Sequence, residues 1–236
     1  MNPKTFELPC GSYMLKGDRY RSGVNGNTTL LLHGAGKSSR VTFTRLREYL
    51  YCHGIPSASF DFVGHGETDG NIKDTTLLGR TDQAATVIKH ICQEPLTLIA
   101  ASMGSYIAIK LTEIFKVENL VLLVPAVYTP LVYEIPFGPK FSAKIRVQDS
   151  WKDSDAFDII SNFGGNVTIM AAEFDDVIPS ELIEQLYAST ISAKSRILHI
   201  VPNSRHLSLF PEEKDFLAAM DTLMGVLTNG KGKFEG

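Results

Sequence analysis

A serine at position 102 lies between an apolar run and an apolar helical stretch, with small residues on both sides. The segment is LTLIAASMGSYIAIK, residues 96–110. Ala100 and Gly104, two positions before and two positions after Ser102, are small enough for a tight turn from a strand into a helix. A helix-capping serine would not require small residues on both sides, so the pattern predicts a nucleophile whose hydroxyl projects above the turn.

A nucleophilic serine needs a base that takes its proton and a third group that orients the base. The sequence offers His206 in the loop PNSRHLSLF, which follows a predicted strand late in the chain. It offers three acids, Glu173, Asp175 and Asp176, in the loop AEFDDVIPS after an earlier predicted strand. The order serine, acid, histidine accompanies this kind of turn, but the residues alone leave the choice among the three acids open.

The other five histidines are weaker candidates for the base. His199 alternates with apolar residues inside a predicted strand. His53 and His90 fall at predicted helix ends. His33 and His65 precede the serine in the chain. The predicted base is therefore His206.

The stretch TLLLHGAGKSSR, residues 29–40, raises the question of nucleotide binding, because Gly36, Lys37 and Ser38 look like the end of a phosphate-binding loop. Such a loop requires a first glycine five positions before the second, so that its backbone can curl around the phosphates. That position is occupied by Leu31, inside a predicted buried strand. The sequence therefore argues against a nucleotide site, and Lys37 and Ser38 are interpreted as ordinary residues at a helix start.

His33, Gly34, Ala35 and Gly36 come directly after this buried run and precede a helical pattern. Two glycines leave the backbone free to direct an N–H group at a ligand. A loop in this position can supply one donor of an oxyanion hole, and the N–H of Met103 can supply the other. A tight strand-to-helix turn with no ligand is the alternative that this motif alone leaves open.

The rest of the chain alternates short apolar runs with amphipathic helical patterns. This alternation predicts an α/β fold with a mostly parallel central sheet and helices on both faces, preceded by a hairpin. Loops at the carboxyl ends of the strands then carry the chemistry. The predicted strands are 4–8, 12–16, 28–32, 57–60, 96–100, 120–124, 167–171 and 196–201, and the predicted helices are 41–52, 75–92, 103–115, 180–188 and 212–227.

One segment interrupts this alternation after the sixth strand. Residues 126–166 are rich in proline, lysine and aromatic residues, among them Tyr128, Phe137, Phe141 and Trp151. The length and the aromatic content predict a small cap inserted over the end of the sheet, within a single domain of residues 1–236. An irregular surface excursion is the alternative interpretation.

Charge and composition argue against several other classes of protein. The 236 residues carry a formal net charge of −3, which gives no general attraction for nucleic acid or an anionic membrane. The three cysteines, Cys10, Cys52 and Cys92, are odd in number and lack a Cys-x-x-Cys spacing, so neither a disulfide framework nor a zinc site is indicated. No signal peptide is evident, and the longest apolar run, residues 120–128, is too short for a membrane span. We expect a soluble, cytoplasmic protein.

Five short motifs are spread over almost the whole chain. They are HGAG at 33–36, DFVGHG at 61–66, AASMG at 100–104, DDVIP at 175–179 and the histidine at 206. In combination they resemble the motifs of α/β-hydrolases of the serine-hydrolase type. The closer resemblance is to small esterases related to monoacylglycerol lipases, cinnamoyl or feruloyl esterases and serine aminopeptidase-like hydrolases. The chain departs from the usual Gly-x-Ser-x-Gly by one methyl group, at Ala100.

The resemblance also selects the acid. Related hydrolases place it in an Asp-x-x-Val/Ile-Pro pattern, which assigns Asp175 in the motif DDVIP and leaves Asp176 as the second choice. In the same family the loop corresponding to DFVGHG is structural: it shapes the site and does not supply the base. The resemblance therefore favours His206 over His65 as the base.

The activity implied by the resemblance is acyl transfer to water through a covalent acyl-enzyme. Ser102 is then the nucleophile, His206 the general base and acid, and Asp175 the group that orients the imidazole. The backbone N–H groups of Ala35 and Met103 form the oxyanion hole, and no metal or organic cofactor is expected.

A carboxylic ester is the first choice of substrate, because an aromatic, proline-rich cap favours an apolar acyl or aryl group. A thioesterase or acyltransferase is the main alternative. Four basic residues of the cap could then bind a phosphate of the substrate. The simpler interpretation is that these four residues form a solvated face. Peptidase activity has less support, because the cap shows no acidic pair for a substrate amino group. A non-catalytic binding module would predict a broken triad, and a dehalogenase would have aspartate in place of the serine. The four basic residues are Lys140, Lys144, Arg146 and Lys152.

Overall fold

Eight strands form a single sheet in the computed structural model, which describes residues 3–20 and 29–228 of the chain. The strands are β1 (Lys4–Cys10), β2 (Tyr13–Tyr20), β3 (Thr29–Leu32), β4 (Ser57–Phe60), β5 (Leu96–Ala101), β6 (Val117–Leu123), β7 (Asn166–Ala172) and β8 (Ser195–Val201). Across the sheet they lie in the order β1-β2-β4-β3-β5-β6-β7-β8. β1 and β2 form an antiparallel hairpin and β2 pairs antiparallel with β4, whereas the pairings from β4 to β8 are parallel.

Helices cover both faces of this sheet. They are α1 (Thr44–Cys52), α2 (Leu77–Ile91), α3 (Met103–Leu111), α4 (Pro139–Ile145), α5 (Ala156–Ser161), α6 (Ser180–Ala188) and α7 (Glu213–Thr228). α1 and α7 pack on one face through residues such as Leu50 and Leu223, and α2, α3, α5 and α6 pack on the other. The central strands are buried on both sides, which explains why β3 is apolar at nearly every position. Among the described residues, no helix combines the length and the hydrophobicity needed to cross a membrane.

The α/β fold with a mostly parallel sheet, expected from the sequence, is confirmed, and the differences lie at the ends of elements. The helix predicted over 103–115 ends at Leu111, because Thr112, Glu113 and Ile114 each donate to a carbonyl three residues back and tighten the last turn. The helix predicted from residue 75 begins at Leu77, where the Thr76 hydroxyl caps it by accepting a 2.9 Å bond from the N–H of Gly79.

Two further boundaries have a backbone cause. The strand predicted over 120–124 begins earlier, at Val117, and ends at Leu123, because Val124 adopts a φ of +41° that no regular strand contains. The helix predicted over 41–52 opens with a turn of 3-10 helix at Arg40–Phe43 before α1 starts. The opening hairpin has the predicted position with longer strands.

The segment between β6 and β7 contains a 3-10 turn, α4 and α5, and it is fastened to the rest of the molecule through α2 and α3. Asp155 accepts hydrogen bonds from the Tyr106 hydroxyl at 2.7 Å and from the Lys110 ammonium at 3.0 Å. The Tyr133 hydroxyl donates to Thr81 at 3.0 Å. Polar side chains on two helices therefore hold this segment in place.

Candidate active site

Ser102 occupies the turn between β5 and α3 in a conformation that few non-glycine residues adopt, with φ +51° and ψ −121°. Three backbone hydrogen bonds hold it there. Its N–H donates to Leu123 at 2.9 Å, and its carbonyl accepts from Ser105 at 2.9 Å and from Ala126 at 3.2 Å. The strained turn is thus fixed both by its own helix and by the chain that leaves β6.

Close backbone approaches explain the small residues around Ser102. A Cβ atom at Gly104 would lie 2.4 Å from the carbonyl oxygen of Leu32, which real Cβ atoms do not tolerate. A Cβ atom at Gly34 would lie 3.1 Å from the Cβ of Ser102. Ala100 is fully buried in β5, so its methyl group is accommodated at this turn. The HGAG loop therefore lies directly against the serine.

Ser102, His206 and Asp175 are brought together by hydrogen bonds in a continuous chain. The Nε2 atom of His206 is 3.1 Å from the Ser102 Oγ, and its Nδ1 atom is 2.9 Å from the Oδ2 of Asp175. The three residues follow β5, β8 and β7, at the carboxyl ends of parallel strands. With the Nδ1 proton donated to the carboxylate, Nε2 is free to accept the serine proton.

The carboxylate beside His206 belongs to Asp175 and not to the other two candidate acids. Asp175 also accepts two backbone bonds at its Oδ1, from Val177 at 2.9 Å and from Ile178 at 2.8 Å. Burial raises its pKa, but the bonds from His206 and the two N–H groups outweigh that effect and lower the pKa below its usual value. Asp176 is exposed.

The loops that carry Asp175 and His206 are bonded to each other through residues to which the sequence did not assign this role. Ser204 is fully buried; its hydroxyl donates to Val201 at 2.6 Å and accepts from Glu173 at 3.2 Å. The Glu173 carboxylate accepts a 2.7 Å bond from the N–H of Asn203. Glu173, considered from the sequence as a candidate acid, instead positions the loop that leads to His206.

The HGAG loop presents backbone N–H groups beside the serine. The N–H of Ala35 and the N–H of Met103 donate to no acceptor within residues 3–20 and 29–228. Ala35 is exposed, and Gly36 adopts a φ of +70° that favours glycine. These features are compatible with the predicted oxyanion hole.

His33, the buried first residue of the HGAG loop, holds this loop in place through hydrogen bonds. Its Nε2 accepts the N–H of Phe62 at 3.1 Å, and its Nδ1 donates to the carbonyl of Gly34 at 2.8 Å. Burial, followed by the neighbouring His65 and Arg80, lowers the pKa of His33 to about 3. The ring is therefore neutral at physiological pH, and its bonds connect the HGAG loop to the DFVGHG loop.

Asp61 organises the DFVGHG loop from a buried position. It accepts bonds from the N–H of Arg40 at 2.7 Å and the N–H of Glu67 at 3.0 Å, and it pairs with the guanidinium of Arg40. A Cβ atom at Gly66 would collide with the Asp61 carboxylate. Arg40 also bonds Asp18 of β2 at 2.7 Å. The sequence did not single out Arg40, because nothing in its local pattern marks it as buried.

Three more histidines form hydrogen bonds with residues other than Ser102. His199 lies 3.3 Å from the hydroxyl of Thr222, and the rings of His53 and His90 bond carbonyls one turn earlier in their own helices. Their positions agree with the interpretation that none of them is the base.

Residues 26–154, just over half of the chain, match the family described as serine aminopeptidase, S33, a family of hydrolases. The chain belongs to this family. No curated protein matches the sequence. The match covers β3 to α4 and includes Ser102, while the residues that carry Asp175 and His206 lie beyond it. The S33 assignment establishes a hydrolase of the α/β class.

Solved structures with the same fold cover nearly all of this S33 hydrolase. The esterase EaEST from Exiguobacterium antarcticum is 18% identical, with a TM-score of 0.72, and covers 94% of this chain and 99% of its own. Est1E from Butyrivibrio proteoclasticus, solved with ferulic acid bound, is 18% identical over the same shares with a TM-score of 0.70. A thioesterase domain from the curacin biosynthetic pathway is 16% identical, with a TM-score of 0.70, over 95% of this chain and 99% of its own. At these identities the comparison shows a shared fold.

Proposed function

We propose that this S33 hydrolase cleaves carboxylic esters through an acyl-enzyme formed on Ser102. The observation that carries the proposal is the chain of two hydrogen bonds, 3.1 Å and 2.9 Å long, that joins Ser102 to His206 and His206 to Asp175. A serine hydroxyl is a weak nucleophile by itself, and this arrangement supplies both the base and the group that orients it.

The reaction follows from the proton positions. The Ser102 Oγ attacks the ester carbonyl while its proton passes to Nε2 of His206, and Asp175 stabilises the imidazolium that forms. Collapse of the tetrahedral intermediate breaks the bond to the alkoxy oxygen, which leaves as an alcohol with the proton from His206. A water molecule then attacks the acyl-enzyme by the same route, which releases the acid and restores Ser102.

The negative charge on the tetrahedral oxygen needs donors that are already in place. In the proposal these are the N–H groups of Ala35 and Met103, both of which lack an acceptor within the described residues. The loss of one such donor typically costs about 3 kcal/mol of transition-state stabilisation. Because both donors are backbone groups, their positions depend on the turn at Ser102 and on the HGAG loop.

We further propose that the segment 126–166 acts as a cap over the site, within one α/β domain. Its aromatic side chains form a cluster in which the ring centroids of Phe137 and Phe141 are 4.8 Å apart and those of Tyr128 and Phe141 are 5.9 Å apart. This cluster continues to Tyr106 of α3, 5.6 Å from Tyr128. Apolar surface of this kind suits the acyl or aryl part of an ester.

A thioester substrate is the second candidate, because the related folds include a thioesterase domain. The four basic residues that could bind a phosphate of such a substrate are all exposed, and one of them, Lys152, pairs with Asp149 at 3.0 Å. Their exposure fits a solvated face better than a built phosphate site. An ester therefore remains the preferred substrate.

The test is the variant Ser102→Ala, assayed with p-nitrophenyl butyrate and with a fluorophosphonate probe that labels activated serines. We expect hydrolysis and labelling to be lost. Ser105→Ala is the matched control: this neighbouring serine donates to Ala100 at 3.0 Å from a buried position, so the variant loses that bond but keeps its activity. Labelling that persists in Ser102→Ala would exclude the assignment. Faster turnover of butyryl-CoA than of p-nitrophenyl butyrate would favour the thioesterase.

A further inference from the structure

Arg80 places a positive charge inside the protein without a negative partner. This residue of α2 has no exposed surface, and its Nε atom has no hydrogen-bond partner in the part of the chain that the structure describes. Within residues 3–20 and 29–228, no carboxylate forms an ion pair with it, whereas Arg40 and Arg47 both pair with Asp18. Arg80 is thus a buried arginine whose donors are not satisfied by an oxygen.

The contacts that Arg80 does make are with soft or aromatic groups. Its Nη1 is 3.5 Å from the sulfur of Met103, and its Nη2 is 3.4 Å from each ring nitrogen of His65. The guanidinium carbon lies 4.6 Å from the ring centroid of Phe137 and 5.1 Å from that of Phe62. Such contacts stabilise a cation only in part, because they replace few of its hydrogen bonds to water.

The charge is present at neutral pH. Burial lowers the pKa of Arg80 to about 10, which still leaves the guanidinium protonated in any physiological buffer. Removing a charged group from water costs several kcal/mol unless the protein or a ligand compensates for it. An anion that binds next to Arg80 would therefore stabilise this charge, because it supplies the hydrogen-bond acceptors and the negative charge that the protein itself does not provide.

The position of Arg80 connects this charge to the active site. Met103, its contact through sulfur, is the residue directly after Ser102 and supplies one of the proposed oxyanion donors. Phe137, its closest aromatic contact, belongs to the proposed cap. Arg80 thus contacts one residue next to the serine and one residue of the proposed cap. Met103 is unbranched and can change rotamer at little cost, so that its sulfur can give up the Nη1 position to an oxygen.

We propose that Arg80 is a specificity-determining residue that binds a carboxylate of the substrate, so that the preferred esters are acidic ones. This inference rests on the ester hydrolysis proposed above. A planar guanidinium whose Nε has no partner among the described residues, and whose Nη atoms contact only a sulfur and an imidazole, matches a carboxylate in geometry and in charge. The half-buried Tyr128 lies close enough for the charge of Arg80 to lower its pKa, against the burial that raises it, and its hydroxyl is a second candidate donor. The same charge disfavours a substrate with a free ammonium group, as an aminopeptidase would require.

The experiment compares esters that differ only in a carboxylate, using release of acid in a pH-stat. One pair places the charge on the acyl side, monoethyl succinate against ethyl butyrate, and the other on the leaving group, 4-acetoxybenzoate against 4-acetoxybenzamide. In the wild-type protein we expect kcat/KM to be about tenfold higher for the acidic member of at least one pair, as one charge-assisted bond would give. Arg80→Met should remove this preference, so that kcat/KM becomes similar for the acidic and the neutral member of that pair. Arg80→Lys should keep part of it.

Two outcomes would overturn the inference: equal turnover within both pairs, or an acidic preference that persists in Arg80→Met. Because Arg80→Met could disturb folding, a second measurement uses only the wild-type protein. Succinate should slow fluorophosphonate labelling of Ser102, whereas succinamide should not, and equal effects of the two count against the inference. Absence of labelling altogether would contradict the proposed serine hydrolase instead, so the two failures can be told apart.

Discussion

The two carboxylate oxygens of Asp175 have different partners, and this division holds the imidazole of His206 in one orientation. Oδ1 accepts the N–H groups of Val177 and Ile178, which follow Asp175 in the same loop, while Oδ2 accepts the Nδ1 proton of His206. The backbone bonds prevent the carboxylate from rotating away from the imidazole. Asp176, one residue later, is turned outward into solvent. Asp175 and Asp176 therefore differ in their surroundings, because only Asp175 accepts the backbone N–H groups of this loop.

His33 is a second residue whose ionisation is set by its surroundings, and it predicts how stability depends on pH. Its pKa is lowered to about 3 in the folded protein, against about 6.5 when the chain is unfolded. Protons therefore bind preferentially to the unfolded chain below pH 6.5, so stability is complete above that pH and is lost as the pH falls towards 3. Between pH 7 and pH 5 we expect His33 to account for a loss of about 2 kcal/mol in the free energy of unfolding.

Urea denaturation of wild type and of His33→Gln at both pH values measures this contribution. The wild type should lose about 2 kcal/mol more than the variant between pH 7 and pH 5. His65 is also shifted to a lower pKa, but it is present in both proteins and its effect largely cancels. His90→Gln, which alters an exposed ring, serves as the control for replacing a histidine by glutamine. Equal slopes in His33→Gln and wild type would contradict the prediction.

At the scale of elements, the site depends on how closely α3 and the HGAG loop approach β3 and β5. Gly104 is the contact point, because a Cβ there would lie 2.4 Å from one carbonyl oxygen of residue 32 and 2.8 Å from that of residue 33. Both obstacles are backbone atoms and cannot move aside as a flexible side chain can. We expect Gly104→Ala to destabilise the protein by roughly 3 kcal/mol or more and to abolish the proposed ester hydrolysis in any fraction that folds.

Gly225 offers a matched control for this substitution. It also lies in a helix, α7, but a Cβ there meets nothing within 4 Å. Gly225→Ala should therefore stabilise the protein by about 0.5–1 kcal/mol through the lower entropy of the unfolded chain. Thermal unfolding followed by circular dichroism measures both variants. Similar melting temperatures for the two would show that the close approach at Gly104 does not limit packing.

Strands and helices could be predicted from the sequence where their hydrophobic pattern is local. Residues of the candidate site could be predicted where they directly follow the end of a strand. Apolar runs located the central strands, and the loops after β7 and β8 contain Asp175 and His206, which hydrogen bonds connect to Ser102, because parallel strands end at the same edge of a sheet. Arg80 could not be found in this way. The helical pattern of α2 identifies an apolar face, whereas the burial of Arg80 depends on Phe137 and Met103, which come from distant parts of the chain. Ser204 and Arg40 were missed for the same reason.

At the scale of the whole molecule, polar networks connect parts of the chain that the sheet leaves separate. Arg40, just before α1, bonds Asp18 of the hairpin and Asp61 after β4, so the opening hairpin supports the loops beside the serine. On the other side, Asp155 joins the proposed cap to α3 through Tyr106 and Lys110. The first network is almost fully buried and the second is partly exposed. We therefore expect the cap to open at a lower energetic cost than the core.

Asp155→Ala tests this expectation. The variant loses the bonds from Tyr106 and Lys110, each of which contributes about 1–2 kcal/mol, and only the attachment of the segment 126–166 depends on them. Limited proteolysis should cut within this segment several times faster than in the wild type, and the midpoint of global unfolding should fall by several degrees. Asp158→Ala is the control, because that exposed residue of the same helix bonds through its backbone carbonyl and not its carboxylate. If both variants are cut at the wild-type rate, α3 does not hold the cap through Asp155, and the aromatic contacts of Tyr128 with Tyr106 and Phe141 are sufficient to keep it closed.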